Sequence, residues 1–334
     1  MNTCRIIAEI GQAHDGSLGI LHSYIDALAP TGVDIIKFQT HIADAESSMH
    51  EEFRTRFSYV DATRYDYWKR MEFSLDQWRG IKDHVEATGR EFMSSPFSCA
   101  AVDLLETINV ARYKVGSGEI SNFLLLEKIA RTGKEILLSS GMSSYAELDA
   151  AVGFLQKHGN RVSIMQCTTR YPTTARSTGL NVIEEMRSRY GIPVGLSDHS
   201  GTIFPSLAAV VLGASFVEVH VVFDRQMFGP DSSSSLTIAE VKHLVEGVRF
   251  LEECRNHPVM KDDIAEFEHL RKLFGKSLSV SRDLPAGHVL AFQDLESKKP
   301  SGYGVPAGEY AAVVGKRLLK DKRKNDFLEY GDVE

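Results

Sequence analysis

Eight short apolar runs, rich in β-branched residues, alternate along the chain with segments of amphipathic helical pattern. Each run is almost continuously hydrophobic, which is typical of strands covered on both faces in a parallel sheet. The runs cover residues 5–11, 34–40, 91–97, 111–117, 135–141, 161–168, 193–199 and 216–222. A strand followed by a helix, repeated eight times within about 250 residues, predicts an α/β fold of the (β/α)8 TIM-barrel type. A doubly wound open sheet is the alternative, but no GxGxxG motif follows any of these runs.

Local signals mark where three of the intervening helices begin. A capping box places a serine or threonine before the helix and a glutamate or glutamine three residues later, so that each side chain bonds the other's backbone N–H. This spacing occurs at Ser74 with Gln77, Ser144 with Glu147, and Thr237 with Glu240. We therefore expect helices to start directly after Ser74, Ser144 and Thr237.

The pattern changes near the C-terminus, which indicates a second domain. We expect the barrel over residues 1–255, a charged linker over 256–276 and a small β-rich domain over 277–334, where PAG, PSGYG and PAGEY turns interrupt short strands. A domain of that size buries little apolar surface and gains stability from a partner. Within the barrel, the connection of residues 41–73 is unusually long and rich in aromatic and charged residues. Such a connection covers the mouth of the active site, or else is a surface excursion without a chemical role.

Composition narrows the class of protein. The chain of 334 residues is 43% hydrophobic and 25% charged. It has no apolar run near the ~20 residues of a membrane span and no signal-peptide pattern, so we expect a cytoplasmic protein without a membrane partner. A net charge of −7 argues against nucleic-acid binding, and the basic run 316–325 is typical of a solvated surface. The four cysteines are scattered, which indicates neither a disulfide framework nor a cysteine zinc site.

Nearly every predicted strand becomes polar toward its C-terminal end, where TIM barrels carry their reacting groups. The charges Glu9, Lys37, Lys114 and Glu218 lie inside apolar strands, and each costs several kcal/mol there unless another charge or a ligand satisfies it. A closed ion-pair layer that plugs the barrel is one interpretation. A ligand site is the other, and it accounts better for the hydroxyls and imidazoles at the same end.

Two features of these strand ends suggest specific chemistry. His199 and His220 lie on neighbouring strands, about 4.8 Å apart, so their imidazoles could share one divalent ion such as Mn²⁺ or Mg²⁺. Lys37 and Lys114 are accompanied by several hydroxyls, a suitable site for a small dianion or trianion such as a phosphorylated carboxylic acid. These hydroxyls belong to Ser95, Ser117, Ser139, Ser197, Thr168 and Thr169. A single serine at a strand end is equally typical of a helix cap.

Around these residues the chain resembles the sialic acid synthase family over essentially its whole length, a TIM barrel followed by an antifreeze-like (SAF) domain. No single motif is specific, but the set is. The matching segments are IIAEIG with the following HDG (6–16), IIKFQT (35–40), SSPFS (94–98), YKVGSGE (113–119), LLSSGMS (137–143), QCTTRYP (166–172), GLSDHS (195–200), EVH (218–220) and GPD (229–231).

The resemblance implies an enzyme that condenses phosphoenolpyruvate with an open-chain N-acylated hexosamine, such as N-acetylmannosamine, to a nine-carbon α-keto sugar acid and phosphate. Relatives that use diacetamido-trideoxy hexoses make legionaminic or pseudaminic acid. It implies that His199 and His220 hold the metal, typically Mn²⁺, with Mg²⁺ or Co²⁺ as alternatives, and that the metal polarises the sugar aldehyde. By the same mapping, Lys114, Ser117, Ser139, Ser197 and Ser95 would bind phosphoenolpyruvate with Lys37 nearby, Glu9 would handle protons or position water, and Gln39, Glu119, Tyr171, Thr169 and Asp231 would lie toward the sugar.

The chain departs from the family pattern at several positions. Ala13 and Asp15 replace asparagines, Gln166 and Thr169 stand where members often carry His and Asn, and GPD continues into four serines (232–235). In the small domain Lys299 takes the place of an arginine that the family presents to the sugar of the partner subunit, and a lysine lacks the planar fork. The resemblance also implies a domain-swapped homodimer in which the small domain caps the partner's barrel.

Two other classes of function fit fewer of these observations. A metal-dependent hydrolase or lyase on the same barrel would need the two histidines but not the paired lysines. A non-catalytic carbohydrate-binding protein would be compatible with the small domain and the altered loops.

Overall fold

The computed structural model describes residues 3–334, which form two compact units, one extending to His257 and the other spanning Pro258–Glu334. In the first unit, eight strands pair in parallel in sequence order, and β1 also pairs with β8, which closes the sheet. The strands are β1 (Arg5–Glu9), β2 (Ile35–Thr40), β3 (Glu91–Pro96), β4 (Arg112–Val115), β5 (Glu135–Ser139), β6 (Val162–Cys167), β7 (Val194–Asp198) and β8 (Phe216–Val222). The predicted TIM barrel is confirmed. A two-residue strand, β9 (Leu236–Thr237), pairs with β8 and was not predicted.

Helices follow the strands and, apart from the two in the connection of residues 41–73, cover the outside of the barrel. They are α1 (Leu18–Leu28), α2 (Ala43–Glu46), α3 (Arg64–Met71), α4 (Leu75–Ala87), α5 (Cys99–Thr107), α6 (Phe123–Ala130), α7 (Tyr145–Lys157), α8 (Asn181–Tyr190), α9 (Phe204–Val211) and α10 (Ile238–Asn256). The three predicted capping boxes are confirmed at the starts of α4, α7 and α10, each with both reciprocal hydrogen bonds. A fourth box, Thr63 with Asp66, starts α3 inside the long connection of residues 41–73.

The barrel interior is built in layers because side chains two residues apart on a strand point the same way. The lower layer is an apolar cluster of Ile7, Ile35, Met93, Leu137, Met165 and Phe216. Two residues further along the same strands come Glu9, Lys37, Ser95, Ser139, Cys167 and Glu218, and all six are buried. These six strands therefore change from apolar to polar at the same height, so the polar layer rests directly on the apolar one.

The second unit has its own small apolar core and an antiparallel pair, β10 (Ser277–Val280) with β11 (Leu295–Lys298). It also includes α11 (Glu268–Phe274), a segment that the sequence analysis placed in the linker. Its core residues are Leu278, Val280, Leu284, Leu290, Val305, Val313, Leu318, Leu328 and Val333.

Across residues 3–334, none of the helices combines the length and the apolar composition that crossing a membrane requires. The cytoplasmic location stays a prediction.

Gly195 lies on β7 at the height of the apolar layer, two residues before Ser197 of the polar layer. The space beside it is already filled, so no side chain fits there. A Cβ there would lie 2.6 Å from both Met165 Sδ and the carbonyl oxygen of Phe216, and the latter is backbone that cannot move aside. We predict that Gly195→Ala lowers the free energy of unfolding by about 1–3 kcal/mol, measured by chemical denaturation. Gly153→Ala in α7 is the matched control: nothing lies within 4 Å of its Cβ, so it should stabilise by about 0.5–1 kcal/mol. Equal effects of the two changes would contradict this layering.

Candidate active site

A cavity of about 520 Å³ opens at the C-terminal ends of the barrel strands. Every site residue predicted from the sequence, except Lys299 and Thr168, lines it. These residues are Glu9, Lys37, Gln39, Ser95, Lys114, Ser117, Glu119, Ser139, Thr169, Tyr171, Ser197, His199, His220 and Asp231. The structure thus brings together side chains from all eight strand ends, although the role of each stays a prediction.

Lys299 belongs to the second unit, where its ammonium nitrogen lies 4.8 Å from the centroid of the Phe274 ring. Its predicted contact with the sugar in a partner subunit stays a prediction.

The floor of the cavity is a connected set of four charges, which we call the charge layer: Glu9, Lys37, Glu218 and Lys114. Lys37 Nζ lies 2.5 Å from Glu9 Oε1 and 3.6 Å from Glu218 Oε1, and Lys114 Nζ lies 3.0 Å from the same Glu218 oxygen. No side chain of the four is more than 4% exposed. The charges therefore satisfy one another, as the ion-pair interpretation requires, and they also face the cavity, as the ligand interpretation requires.

Pairing decides the ionisation of this layer. Burial opposes the charge on Glu9, but Lys37, His220 and Lys114 outweigh it and hold the pKa of Glu9 far below its usual range. Burial likewise opposes the charge on Glu218, yet Lys114 and Lys37 lower its pKa. The pKa of Lys114 is raised, because Glu218 and Glu9 outweigh its desolvation. All three groups are therefore charged at neutral pH.

Hydroxyls extend the layer toward the predicted anion-binding site. Lys114 donates to Ser139 Oγ at 2.6 Å, and Ser197 donates to Glu218 Oε1 at 3.0 Å. Two buried atoms of this surface, Glu218 Oε2 and Thr169 Oγ1, have no hydrogen-bond partner among the described residues. Since both residues line the cavity and buried polar atoms are normally paired, these atoms are available to a ligand or to water.

His199 and His220 lie beside this layer with ring centroids 5.4 Å apart. His199 Nδ1 is 3.1 Å from the carbonyl oxygen of Thr168, so Nδ1 carries the proton and donates it to this oxygen. The other ring nitrogen, Nε2, is then unprotonated, and its lone pair is free to bind a metal. His220 Nε2 lies 3.4 Å from Glu9 Oε2. Two imidazoles beside a carboxylate can hold a divalent transition-metal ion. Within residues 3–334 no group of three or more His, Cys, Asp or Glu side chains could enclose a metal, so water or substrate would complete the shell.

Above the histidines, aromatic and charged groups build the upper wall. The Tyr171 ring stacks on His199 with 4.1 Å between ring centroids, and the Arg54 guanidinium lies 4.1 Å above the Tyr171 ring. Arg54 also donates to Asp231 Oδ1 at 2.5 Å and to the carbonyl oxygen of Pro230 at 3.3 Å. The long connection of residues 41–73 is thereby joined to the loop after β8 at the cavity mouth.

Sequence reasoning missed most of the long connection's contribution to the cavity. The cavity-lining residues that it did not assign include Gln12, His41, Glu46, Glu51, Arg54, Arg64, Trp68 and Cys167. The length and composition of residues 41–73 pointed to the mouth but not to individual side chains. Nothing in the sequence marked Gln12 as a site residue, because it lies in the turn after β1. Its side-chain amide donates to Gln39 Oε1, and its side-chain oxygen accepts from the Tyr67 hydroxyl.

Three polar residues at the ends of β6 and β7 lie outside this cavity. Asp198 points away because it alternates with Ser197, and it accepts from the backbone N–H and the hydroxyl of Ser200. Burial raises its pKa to about 6. Gln166 donates to the carbonyl oxygen of Thr178, and the Thr168 hydroxyl donates to that of Ser177. Asp198 therefore closes a turn, and the other two tie down the loop after β6.

Fold and cavity together define a class: a TIM-barrel enzyme with two buried lysines at the floor of its cavity, next to a pair of imidazoles. Residues 24–259 match the model of the NeuB family, and residues 275–334 match that of the SAF domain. The chain belongs to the NeuB family, and the sequence-based assignment to this family of phosphoenolpyruvate-dependent transferases is confirmed.

Individual relatives agree with the family match. The chain is 32% identical to the human N-acetylneuraminate-9-phosphate synthase, covering 97% of this chain and 91% of that protein. It is 30% identical to the N,N'-diacetyllegionaminic acid synthase of Campylobacter jejuni, covering 98% and 99%. Among solved structures it is similar to the N-acetylneuraminic acid synthetase of Leptospira borgpetersenii in complex with citrate, with a TM-score of 0.71, 28% identity, and coverage of 80% of this chain and 90% of that one.

The charge layer makes a prediction about stability. Lys114→Met leaves the buried Glu218 with Lys37 as its remaining cation, at 3.6 Å. We therefore expect the free energy of unfolding, measured by chemical denaturation, to fall by about 3 kcal/mol. The matched control is Lys128→Met on α6, which breaks a pair with Asp103 whose side chains are 37% and 65% exposed. That change should cost less than about 1 kcal/mol. A similar loss of stability in both variants would show that the buried charges of the layer do not depend on one another for stability.

Proposed function

We propose that this chain condenses phosphoenolpyruvate with an open-chain N-acylated amino sugar, giving a nine-carbon α-keto sugar acid and phosphate. The observation that carries the proposal is the charge layer with its hydroxyls, a site for a compact polyanion, lying in one cavity with two imidazoles. The human and Campylobacter relatives support the product class, because both are synthases of nine-carbon sugar acids.

Phosphoenolpyruvate would lie on the floor of the cavity. Lys114 and Lys37 supply the positive charge, and Ser95, Ser117 and Ser139 supply hydroxyls to the phosphate and carboxylate oxygens. Held in this way, the C3 carbon of the enol faces the sugar aldehyde, and a bimolecular addition becomes a step between oriented groups. Carbon–carbon bond formation leaves positive charge at C2, and water adds there and loses one proton to give a C2 hydroxyl. Phosphate then departs with the electrons of its C2–O bond while the hydroxyl loses its proton to the phosphate, which leaves the ketone.

Glu9 and Glu119 differ in the direction of their pKa values, which suggests different roles. Glu9 is held ionised, so it can accept a hydrogen bond from the attacking water and orient it. Burial raises the pKa of Glu119, which makes it the better proton donor to the aldehyde oxygen. Gln39, Thr169, Tyr171 and Asp231 would contact the sugar, and Ser197 would keep Glu218 in place.

His199 and His220 would hold a divalent ion, Mn²⁺ in the first instance. Bound there, such an ion supplies Lewis-acid polarisation of the aldehyde oxygen. The contact of Thr168 with His199 and of Glu9 with His220 orients the two rings whether or not the ion is present.

A diacetamido-trideoxy hexose is the alternative substrate, and legionaminic or pseudaminic acid would then be the product. A domain-swapped homodimer, with Lys299 reaching the partner's sugar, is part of the proposal. A dimer mass in solution would agree with it.

The direct test is to incubate the purified chain with phosphoenolpyruvate, Mn²⁺ and a panel of N-acylated hexosamines. We expect phosphate release that requires the sugar, and one nine-carbon acid per phosphate by mass spectrometry. Glu9→Gln should lower kcat by about 10²-fold, because the carboxylate that orients the attacking water is lost. Glu127→Gln on the surface of α6 is the control and should leave kcat unchanged.

Metal-dependent turnover of other substrates without phosphoenolpyruvate would favour a hydrolase or lyase instead, and sugar binding without any turnover would favour a binding protein.

A further inference from the structure

His41, the first residue after β2, is a buried histidine of the cavity wall, and both of its ring nitrogens contact side chains. Its Nδ1 lies 2.6 Å from Glu46 Oε1 on α2, and its Nε2 lies 3.1 Å from Gln39 Oε1 on β2. The His41 and Glu46 side chains are only 3% and 6% exposed. The condensation proposed above gives neither of these two residues a role.

Two aromatic rings hold the plane of this imidazole. Trp68 stacks on His41 with 3.8 Å between ring centroids and 20° between the planes, and Phe97 stacks on it with 4.6 Å and 11°. The indole N–H of Trp68 is itself bonded to the carboxylate of Glu51 at 3.1 Å. Near-parallel stacking prevents the imidazole from tilting, so its two nitrogens keep their directions along the ring plane.

The partners of Gln39 decide where the protons lie. Glu9 is ionised and can only accept, so the Gln39 atom that lies 2.8 Å from Glu9 Oε1 is the amide nitrogen. The Gln39 oxygen is thereby directed toward His41 Nε2 and the Gln12 amide nitrogen, each 3.1 Å away. An amide oxygen only accepts, so Nε2 of His41 carries a proton and donates it.

Glu46 stabilises this arrangement from the other edge of the ring. Its carboxylate accepts from Nδ1, so both ring nitrogens of His41 carry protons and Glu46 balances the charge of the imidazolium. Stacking on aromatic rings is also favourable for a cation. Glu46, His41, Gln39 and Glu9 therefore form one chain of hydrogen bonds, in which every donor faces an acceptor.

This chain permits only one orientation of the Gln39 amide. Turned by 180°, the amide would place its oxygen against the carboxylate of Glu9 and its amino group against the Nε2 proton of His41, and each contact would lack a hydrogen bond. In the observed orientation, one N–H of Gln39 is bonded to Glu9 and the other remains for an oxygen of the substrate.

We propose that His41, held by Glu46, is a positioning residue of the active site: its Nε2 proton fixes the Gln39 amide with the nitrogen toward Glu9 and the substrate. This inference rests on the proposed condensation, in which Glu9 orients the attacking water. It makes Gln39 a hydrogen-bond donor to the substrate rather than an acceptor.

The kinetic test is His41→Phe, which keeps an aromatic ring between the stacked side chains but removes both N–H groups. With the sugar that the wild type uses, kcat should fall by about 10- to 100-fold because Gln39 no longer holds Glu9 in place. The KM for phosphoenolpyruvate should stay within about 2-fold of its original value, because the floor of the cavity is unchanged. Glu46→Gln should lower kcat less, because a glutamine can still bond Nδ1.

A double variant shows whether His41 acts through Gln39. In a Gln39→Ala background, adding His41→Phe should change kcat by less than about 2-fold, whereas a merely structural role would lower it by the same factor in both backgrounds. His50→Phe is the matched control, since His50 is an exposed histidine of the same connection outside the cavity, and its kinetics should be those of the wild type. Thermal unfolding of each variant shows whether a lower kcat reflects misfolding.

A measurement that needs no turnover tests the hydrogen-bond chain itself. In the NMR spectrum of protein with ¹⁵N-labelled histidine, the His41 signals are those that disappear in His41→Phe, and both ring nitrogens should be protonated at neutral pH. An unprotonated Nε2, an unchanged kcat in His41→Phe, or equal losses in the two backgrounds would overturn the role of His41 alone. No phosphate release by the wild type with any sugar, despite a protonated Nε2, would overturn the proposed function and the catalytic meaning of this chain with it.

Discussion

The structure depends on the mutual neutralisation of four buried charges in the middle of a barrel. Glu9, Lys37, Glu218 and Lys114 come from four different strands, and none is tolerable there alone. Because they meet directly above a dry apolar layer, the strand registers that bring Glu9 beside Lys37 and beside His220 also place the hydroxyls of β3, β5 and β7 at the same height. One constraint thus positions the whole floor of the cavity.

The same constraint shapes the proposed chemistry. Two ammonium and two carboxylate groups sum to zero charge, so a trianion such as phosphoenolpyruvate must draw the lysines partly away from their glutamates. Positive charge between His199 and His220 would lower that cost, which gives the imidazole pair a role in anion binding as well as in polarising the aldehyde. Farther out, the wall formed by residues 41–73 carries arginines that are themselves paired with carboxylates, Arg54 with Asp231 and Arg64 with Glu51.

Much of this was predictable because barrels are regular. Hydrophobic runs gave the eight strands, capping boxes gave three helix starts, and the side-chain period of two placed His220 on the side of Glu218. Loop residues obey no such period, so the contacts of Gln12, Arg54 and Arg64 could not be anticipated. The sequence also could not decide between a plug of ion pairs and a ligand site. In the structure the same side chains pair with one another and also line the cavity. Which side chains pair, and which face a cavity, depends on the folded arrangement and cannot be read from any one motif.

The most direct measurement of the central claim is a crystal structure of the protein with phosphoenolpyruvate and Mn²⁺. The account predicts the phosphate and carboxylate oxygens within hydrogen-bond distance of Lys114 Nζ and Ser139 Oγ, with the Lys37–Glu9 contact lengthened from its 2.5 Å. Phosphoenolpyruvate bound elsewhere in the cavity, with all four charges still paired as they are now, would contradict it.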